Sequence, residues 1–133
     1  MASLLKVDAL TGVTTAGSIS VTGEGGSTTT NLQQGLAKAW SNHSNLSSVA
    51  IHDSLNISSM VDVTGSVTRV VYTNVFNNAV YSGSGTCVSN RQVMWRTYNT
   101  HYLAASNELV THDNNANGQD SDYIGVQFYG DLA

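Results

Sequence analysis

A run of oxygen-bearing side chains after residue 112 has the spacing of a calcium-binding loop. Four side chains would supply the ligands: Asp113, Asn115, Asn117 and Asp120. The first three stand at the first, third and fifth positions of such a loop, and Gly118 stands at the sixth, where the chain must turn sharply. The twelfth position holds Ile124 in place of the usual bidentate Glu. Asn, Asp and Gly also serve turn geometry, and the sequence favours a polar hairpin loop over a calcium site.

Aromatic side chains concentrate on the segment that follows residue 94 and could stack against sugar rings. The candidates for glycan contact are Trp95, Tyr98 and Tyr102. Aromatic residues on alternating strands more often pack in a core or an interface, because they bury a large apolar area. The sequence leaves both roles open, with an exposed glycan platform as the less favoured one.

The remaining reactive side chains predict no catalytic centre. The four histidines lack the spacing of a zinc pair, and Cys87 has no second thiol. A buried structural role for that cysteine is favoured over a nucleophilic one. Glycan cleavage needs two facing carboxylates. The only glutamates are Glu24 and Glu108, and most aspartates fall in predicted loops. We therefore expect a protein that is not an enzyme and needs no cofactor, with calcium as the one candidate ion.

Composition excludes some partners. Of the 133 residues 11% are charged, and the net charge is −4 with five Lys and Arg in total. Nucleic-acid binding needs clustered cations, and these are scattered, so we expect no nucleic-acid partner. The sequence has no long apolar run, so we expect no membrane partner. Surface polarity is expected to come from Ser, Thr, Asn and Gly.

The chain after residue 45 has the pattern of short strands separated by turns. Thr64-Gly65-Ser66 predicts a hairpin turn, and residues 123–129 alternate, with Ile124, Val126 and Phe128 on one face. Short strands at regular spacing are typical of an all-β fold. We predict an antiparallel β-sandwich, jelly-roll-like, over residues 46–133.

The N-terminal part is expected to differ. Residues 30–42 predict one short amphipathic α-helix, because Thr30 suits an N-cap and apolar side chains recur at helical spacing. Its packing face would consist of Leu32, Leu36, Ala39 and Trp40. Residues 1–29 are rich in Gly, Ser and Thr and are predicted to form an extended arm that anchors by strand addition. The apolar anchors of that arm would be Leu5, Val7, Leu10, Ile19 and Val21.

Four segments resemble structural proteins of marine tailed bacteriophages, of the cyanophage and pelagiphage type. Residues 3–8 (SLLKVD) resemble the start of their fibre proteins, and residues 31–40 (NLQQGLAKAW) resemble a segment of their virion proteins. Residues 50–59 (AIHDSLNISS) and the ending 128–133 (FYGDLA) are similar to further stretches of that family. This chain departs from the family at His52, where Arg is usual, and at Leu55, where Phe is usual.

The resemblance implies a virion structural protein, a homotrimer that displays its β-sandwich on the phage particle. The roles that it implies are a tail fibre or spike tip, a head fibre, or a capsid decoration protein, each held by other virion proteins of the capsid or tail. The chain is short for a whole fibre, which favours a small appendage. The rival hypothesis is a carbohydrate-binding module that recognises host surface glycans during host attachment.

Overall fold

The computed structural model describes residues 5–12, 19–22, 29–88, 90–96 and 100–133. The chain divides into two units, Met1–Leu36 and Ala37–Ala133. Each unit is described by itself below. In the described part of the chain, no helix is long and apolar enough to cross a membrane.

The described residues of the N-terminal unit form two short strands and one helical turn. Strand β1 (Ser20–Thr22) pairs antiparallel with β2 (Thr29–Asn31), and helix α1 (Leu32–Gly35) follows directly. The amide of Leu32 donates to the carbonyl of Ile19 at 2.9 Å and ties the start of the helix to β1. Four of the predicted anchors are exposed, namely Leu5, Val7, Leu10 and Val21. Their pairing with another strand stays a prediction.

The prediction of a helix over residues 30–42 is wrong beyond its first turn. Helix α1 ends at Gly35, and Ala39–Ser44 form strand β3. Strand β3 pairs with a neighbour on each side, and this tertiary pairing overrides a weak local helix propensity. The predicted apolar face therefore does not exist, because Ala39 is fully buried in the core while Leu36 is exposed. The sandwich begins at Ala39 and not at residue 46.

The second unit is an all-β sandwich of two four-stranded antiparallel sheets, which confirms the predicted fold class. The first sheet has the order β4-β3-β10-β7 and the second the order β5-β6-β9-β8. Besides β3, the strands are β4 (Ala50–Leu55), β5 (Ile57–Thr64), β6 (Val67–Tyr72), β7 (Ser82–Cys87), β8 (Arg91–Trp95), β9 (Ser106–Asp113) and β10 (Ile124–Tyr129).

Turn residues sit where the chain changes direction. The predicted hairpin between β5 and β6 is confirmed, and Gly65 in its turn has a φ of +48°, which glycine adopts without a steric penalty. Asn56 alone separates β4 from β5 and carries the chain from the first sheet to the second with a φ of 59°. Its side-chain amide donates to the carbonyl of Asn74 at 2.9 Å and its side-chain oxygen accepts from the Asn74 amide at 2.7 Å.

One end of the sandwich interior is aromatic. The rings of Tyr72, Phe76 and Tyr81 pack together, with a stacked pair of Phe76 and Tyr81 at 4.2 Å between centroids. Phe128 of β10 lies edge-on to Tyr72 at 5.4 Å and joins the two sheets. Buried aromatic area of this kind is the largest apolar contribution that a small sandwich can make. We call this group the aromatic end.

The other end of the interior is polar. The buried side chains there are Ser41, His43, Asn45, Ser66, Thr68, Thr111 and Ser121. Asn45 donates to Thr111 Oγ1 at 3.1 Å and accepts from the Ser121 amide at 2.7 Å. The expectation that Ser, Thr and Asn supply surface polarity is wrong for this set, which we call the polar end. Buried polar groups of this kind depend on being hydrogen-bonded.

Candidate functional site: an aromatic cleft and an exposed sheet edge

Trp95 ends β8 and turns its ring toward the interior. It lies opposite Leu109 in register, and its ring centroid is 5.3 Å from that of Phe128. Gly83 on β7 allows this approach, because a Cβ at that position would lie 2.8 Å from Trp95 Cζ2. The ring is therefore held against the backbone of the neighbouring sheet, in a fixed orientation.

Two tyrosines continue the aromatic group from Trp95. Tyr102 stacks on Tyr81 with ring centroids 4.4 Å apart and lies edge-on to Trp95 at 6.3 Å. The hydroxyl of Tyr102 donates to the Tyr81 carbonyl at 2.7 Å, and the hydroxyl of Tyr81 donates to the Leu103 carbonyl at 2.9 Å. Burial raises the pKa of Tyr102, so its phenol stays neutral. These hydrogen bonds fix the orientation of the two tyrosine rings.

A cleft of about 420 Å³ opens beside these rings, where the β7 edge of the first sheet meets the β8 edge of the second. Its lining residues are Ala79, Val80, Tyr81, Gly83, Trp95, Arg96 and Tyr102. We call it the Trp95 cleft. Its volume falls in the range of about 300–1,000 Å³ typical of small-molecule sites. Val80 is 76% exposed and is the most open of its apolar side chains.

The structure changes the geometry predicted for glycan contact. Trp95 and Tyr102 do come together, but Tyr102 is buried and Trp95 is half-buried, so the two do not form an open platform. They are walls of a cleft instead, because strand alternation turns Trp95 toward the core. Tyr98 lies outside the described residues. Glycan contact by these residues stays a prediction.

A charged cluster missed by the sequence analysis lies next to the cleft. Glu108 of β9 is 2% exposed and accepts from Arg69 Nε at 2.9 Å and from Arg96 Nη1 at 2.7 Å. His101 Nδ1 lies 2.8 Å from the same carboxylate oxygen as Arg96. Burial alone would raise the pKa of Glu108, but the hydrogen bonds from Arg69 and Arg96 and the neighbouring positive charges lower it below the usual range.

The two arginines of this region have different carboxylate neighbours. Arg91 lies opposite Asp113 in register, whereas Arg96 binds Glu108. The Glu108 cluster forms because the register of β6 against β9 places Arg69 opposite Glu108. These residues are far apart in sequence, so no local sequence pattern predicts their pairing.

The candidate calcium loop uses its first ligand for turn formation. Asp113 Oδ1 accepts from the amides of Asn115 at 2.8 Å and Asn117 at 3.0 Å, and Oδ2 accepts from Asn117 Nδ2 at 3.2 Å. The side-chain hydrogen bond from Asn117 leads the causes that lower the pKa of Asp113. Asp120 is half-buried. Among the residues that the structure describes, no three His, Cys, Asp or Glu side chains converge as a metal site.

The histidines and the cysteine occupy separate environments. His43 is fully buried, and burial, with a smaller effect from His52, lowers its pKa to about 4. His52 stacks on Tyr123 with ring centroids 5.3 Å apart. Burial raises the pKa of the Cys87 thiol although Arg91 opposes the shift, so the thiolate needed for nucleophilic attack is disfavoured.

The opposite edges of the two sheets are formed by β4 and β5. In the described part of the chain β4 pairs only with β3, and β5 pairs only with β6. Ile51 and Leu55 of β4 are 41% and 48% exposed, and Val61 of β5 is exposed as well. Leu55 lies opposite the half-buried Trp40 in register. We call this surface, residues 50–64 with Trp40, the β4–β5 edge.

A second groove, of about 350 Å³, crosses the outer face of the first sheet. Its lining combines one aromatic ring with small and polar residues: Trp40, Ser41, Ser84, Gly85, Thr86, Gly125, Val126 and Gln127. Gln127 Nε2 donates to Ser84 Oγ at 3.1 Å across the strands. None of its lining residues carries an acidic, basic or thiol side chain.

Comparison with known proteins adds no family to this description. No family model matches the chain, and no curated protein or solved structure matches it. The candidate sites are therefore the Trp95 cleft and the β4–β5 edge, each defined by its own geometry.

Proposed function

We propose that this chain is a non-enzymatic structural protein of a bacteriophage virion. It forms a trimeric appendage on the particle surface, as a tail fibre or spike tip, a head fibre or a capsid decoration protein, and it binds other virion proteins. The observation that carries the proposal is the β4–β5 edge, which leaves strand backbone and apolar side chains open in the single chain. The family resemblance and the charge-poor composition support the same role.

An open edge of this kind fits a subunit that assembles. Exposed edge strands pair readily with other chains, and proteins that stay monomeric usually protect them with charge, bulges or short length. The β4–β5 edge carries Asp53 and Asp62, and both strands contain register shifts, but it has no Lys or Arg. It still exposes Ile51, Leu55 and Val61. Covering these side chains in an oligomer would bury apolar area in each subunit, which stabilises association by about 25 cal/mol per Å² before binding costs.

Assembly is tested by measuring molar mass with light scattering after size-exclusion chromatography. The proposal predicts a trimer for the wild type and a shift to monomer for the double variant Ile51→Lys with Leu55→Lys. The matched control is the double variant Val88→Lys with Met94→Lys, which adds the same two charges at exposed apolar positions after β7 and on β8. A wild type that remains monomeric at high micromolar concentration would refute the trimer, and an equal loss in the control would refute the role of this edge.

The second candidate function is a carbohydrate-binding module for host surface glycans, and the observation that favours it is the Trp95 cleft. Aromatic rings held in a fixed orientation are suited to stacking on the apolar face of a sugar. A glycan array with the full chain tests it, and Val80→Trp, which fills the mouth of the cleft from an exposed position, should abolish saturable binding. Val88→Trp is the control and should bind like the wild type.

A further inference from the structure

We propose that the Trp95 cleft binds a sugar residue that carries a carboxylate. The inference rests on the carbohydrate-binding candidate above and adds the chemical class of the ligand. It joins two neighbouring features, the apolar wall of the cleft and the Arg96 side chain that lines it.

Positive charge is concentrated at this cleft in an otherwise acidic chain. The chain has five Lys and Arg and a net charge of −4. Two of those five, Arg69 and Arg96, contact the single carboxylate of Glu108. Two guanidinium groups against one carboxylate leave one positive charge in excess, before any contribution from His101. An anion is therefore favoured here over its neutral analogue.

Four donor atoms fill the acceptor capacity of the Glu108 carboxylate. Oε1 receives two groups of Arg69, and Oε2 receives Arg96 Nη1 together with His101 Nδ1. A guanidinium has five N–H donors in a planar fork. Glu108 takes only the Nη1 group of Arg96, and 34% of the Arg96 side chain is exposed. The other N–H donors of the Arg96 guanidinium are suited to binding a second carboxylate.

The same contacts fix Arg96 beside the aromatic wall. Its amide donates to the Glu108 carbonyl at 2.9 Å, and its side chain binds the Glu108 carboxylate, so backbone and guanidinium are both anchored on β9. The preceding residue is Trp95. A pyranose stacked on that ring would place a ring carboxylate within reach of the guanidinium. Because the Trp95 ring and the Arg96 guanidinium are already held in place, binding loses less conformational entropy. Glu108 acts as the positioning residue.

The test compares acidic sugars with uncharged partners of the same shape. Methyl glycosides of glucuronic, galacturonic and N-acetylneuraminic acid are each paired with the corresponding methyl ester, and binding to the full chain is measured by calorimetry and ligand-detected NMR. We expect at least one acid to bind about tenfold or more tightly than its ester, as loss of a charge-assisted hydrogen bond predicts. Raising the salt concentration should weaken binding of the acid and leave the ester unchanged.

Two variants locate the interaction. Arg96→Gln should reduce affinity for the acid to that of the ester, while Val80→Trp should reduce both. A melting curve for each variant shows that it is folded, and the salt dependence of the wild type supplies the same evidence if Arg96→Gln does not fold. Equal binding of acid and ester by the wild type would overturn the inference and leave carbohydrate binding intact. No binding of either class in the panel or in the array would overturn both.

Discussion

The two ends of the sandwich interior are built from opposite chemistry. At the aromatic end, rings such as Tyr72 and Phe128 fill the space between the sheets by shape. At the polar end, Asn45 holds Thr111 and the backbone of Ser121 by directed hydrogen bonds. Apolar packing tolerates small rearrangements, whereas a buried polar network loses its stabilisation when one member is removed. Apolar packing at the aromatic end therefore supplies stability, and the directed hydrogen bonds at the polar end select one arrangement of the chain.

The largest expected effect is at the aromatic end. Phe128→Ala removes a fully buried ring that contacts Tyr72, Tyr81 and Trp95, and we expect the free energy of unfolding to fall by about 3–5 kcal/mol. Urea denaturation measures it. The matched control is Tyr129→Ala, the next and more exposed position of the same strand, which should cost much less. Equal losses would mean that the rings do not dominate the core.

The next effect is a pH dependence that belongs to the polar end. His43 has a pKa lowered from 6.5 to about 4, so the unfolded chain takes up the proton first as the pH falls. The contribution of His43 to the free energy of unfolding should be constant above about pH 6.5 and fall by about 3 kcal/mol between there and about pH 4. Urea denaturation across that range measures the slope.

The control for this pH dependence is a pair of histidine variants. His43→Leu should remove the slope, and His52→Asn should keep it, because the first histidine is buried and the second is exposed. Glu108, whose pKa is lowered, contributes stability that is lost at more acidic pH, as the pH falls through its folded pKa, in all three proteins. Identical slopes in the wild type and His43→Leu would contradict the assignment.

A smaller loss is expected for the polar network itself. Asn45→Ala leaves the Ser121 amide and Thr111 Oγ1 without the side chain that pairs them, and we expect a loss of about 1–3 kcal/mol. The exposed Asn114→Ala is the control and should change stability by less than about 0.5 kcal/mol. Amide exchange at Ser121 should accelerate in the first variant alone. No acceleration there would mean that Asn45 does not hold this loop.

The smallest effect on stability, and the clearest on assembly, is expected at Trp40. Its ring is half-buried and lies opposite Leu55 at the β4–β5 edge. Trp40→Ala should cost about 1 kcal/mol in the subunit and lower the trimer fraction more than any histidine substitution does. Sedimentation velocity of Trp40→Ala beside His101→Asn and His112→Asn checks the ranking. Equal oligomer size in all three would refute it.

The sequence predicts strands correctly in segments whose apolar residues follow a single period. Residues 124–129 alternate between buried and outward positions as expected, because one face of β10 packs on the core. The prediction of a helix over residues 30–42 failed because residues 39–44 permit a period of two: Ala39, Ser41 and His43 face inward in β3. Local propensity cannot choose between the two periods, and pairing with β10 and β4 decides the outcome.

The candidate sites were harder to predict than the fold. Trp95 and Tyr102 were identified as aromatic candidates, but the cleft between them depends on β7 and on the missing side chain of Gly83. The Glu108 cluster depends on the register of β6 against β9. Both arise from contacts between residues distant in sequence, and a single sequence carries no direct signal of register.

The central claim is that the β4–β5 edge is an assembly surface, and backbone amide exchange tests it most directly. Exchange of β4 and β5 should be measured for the wild type and for the Ile51→Lys, Leu55→Lys double variant, with β7 and β8 as the internal reference. We expect the amides of β4 and β5 that point away from β3 and β6 to be protected in the wild type and to exchange quickly in the variant, while β7 and β8 do not change. Fast exchange of these amides in both proteins would contradict the claim.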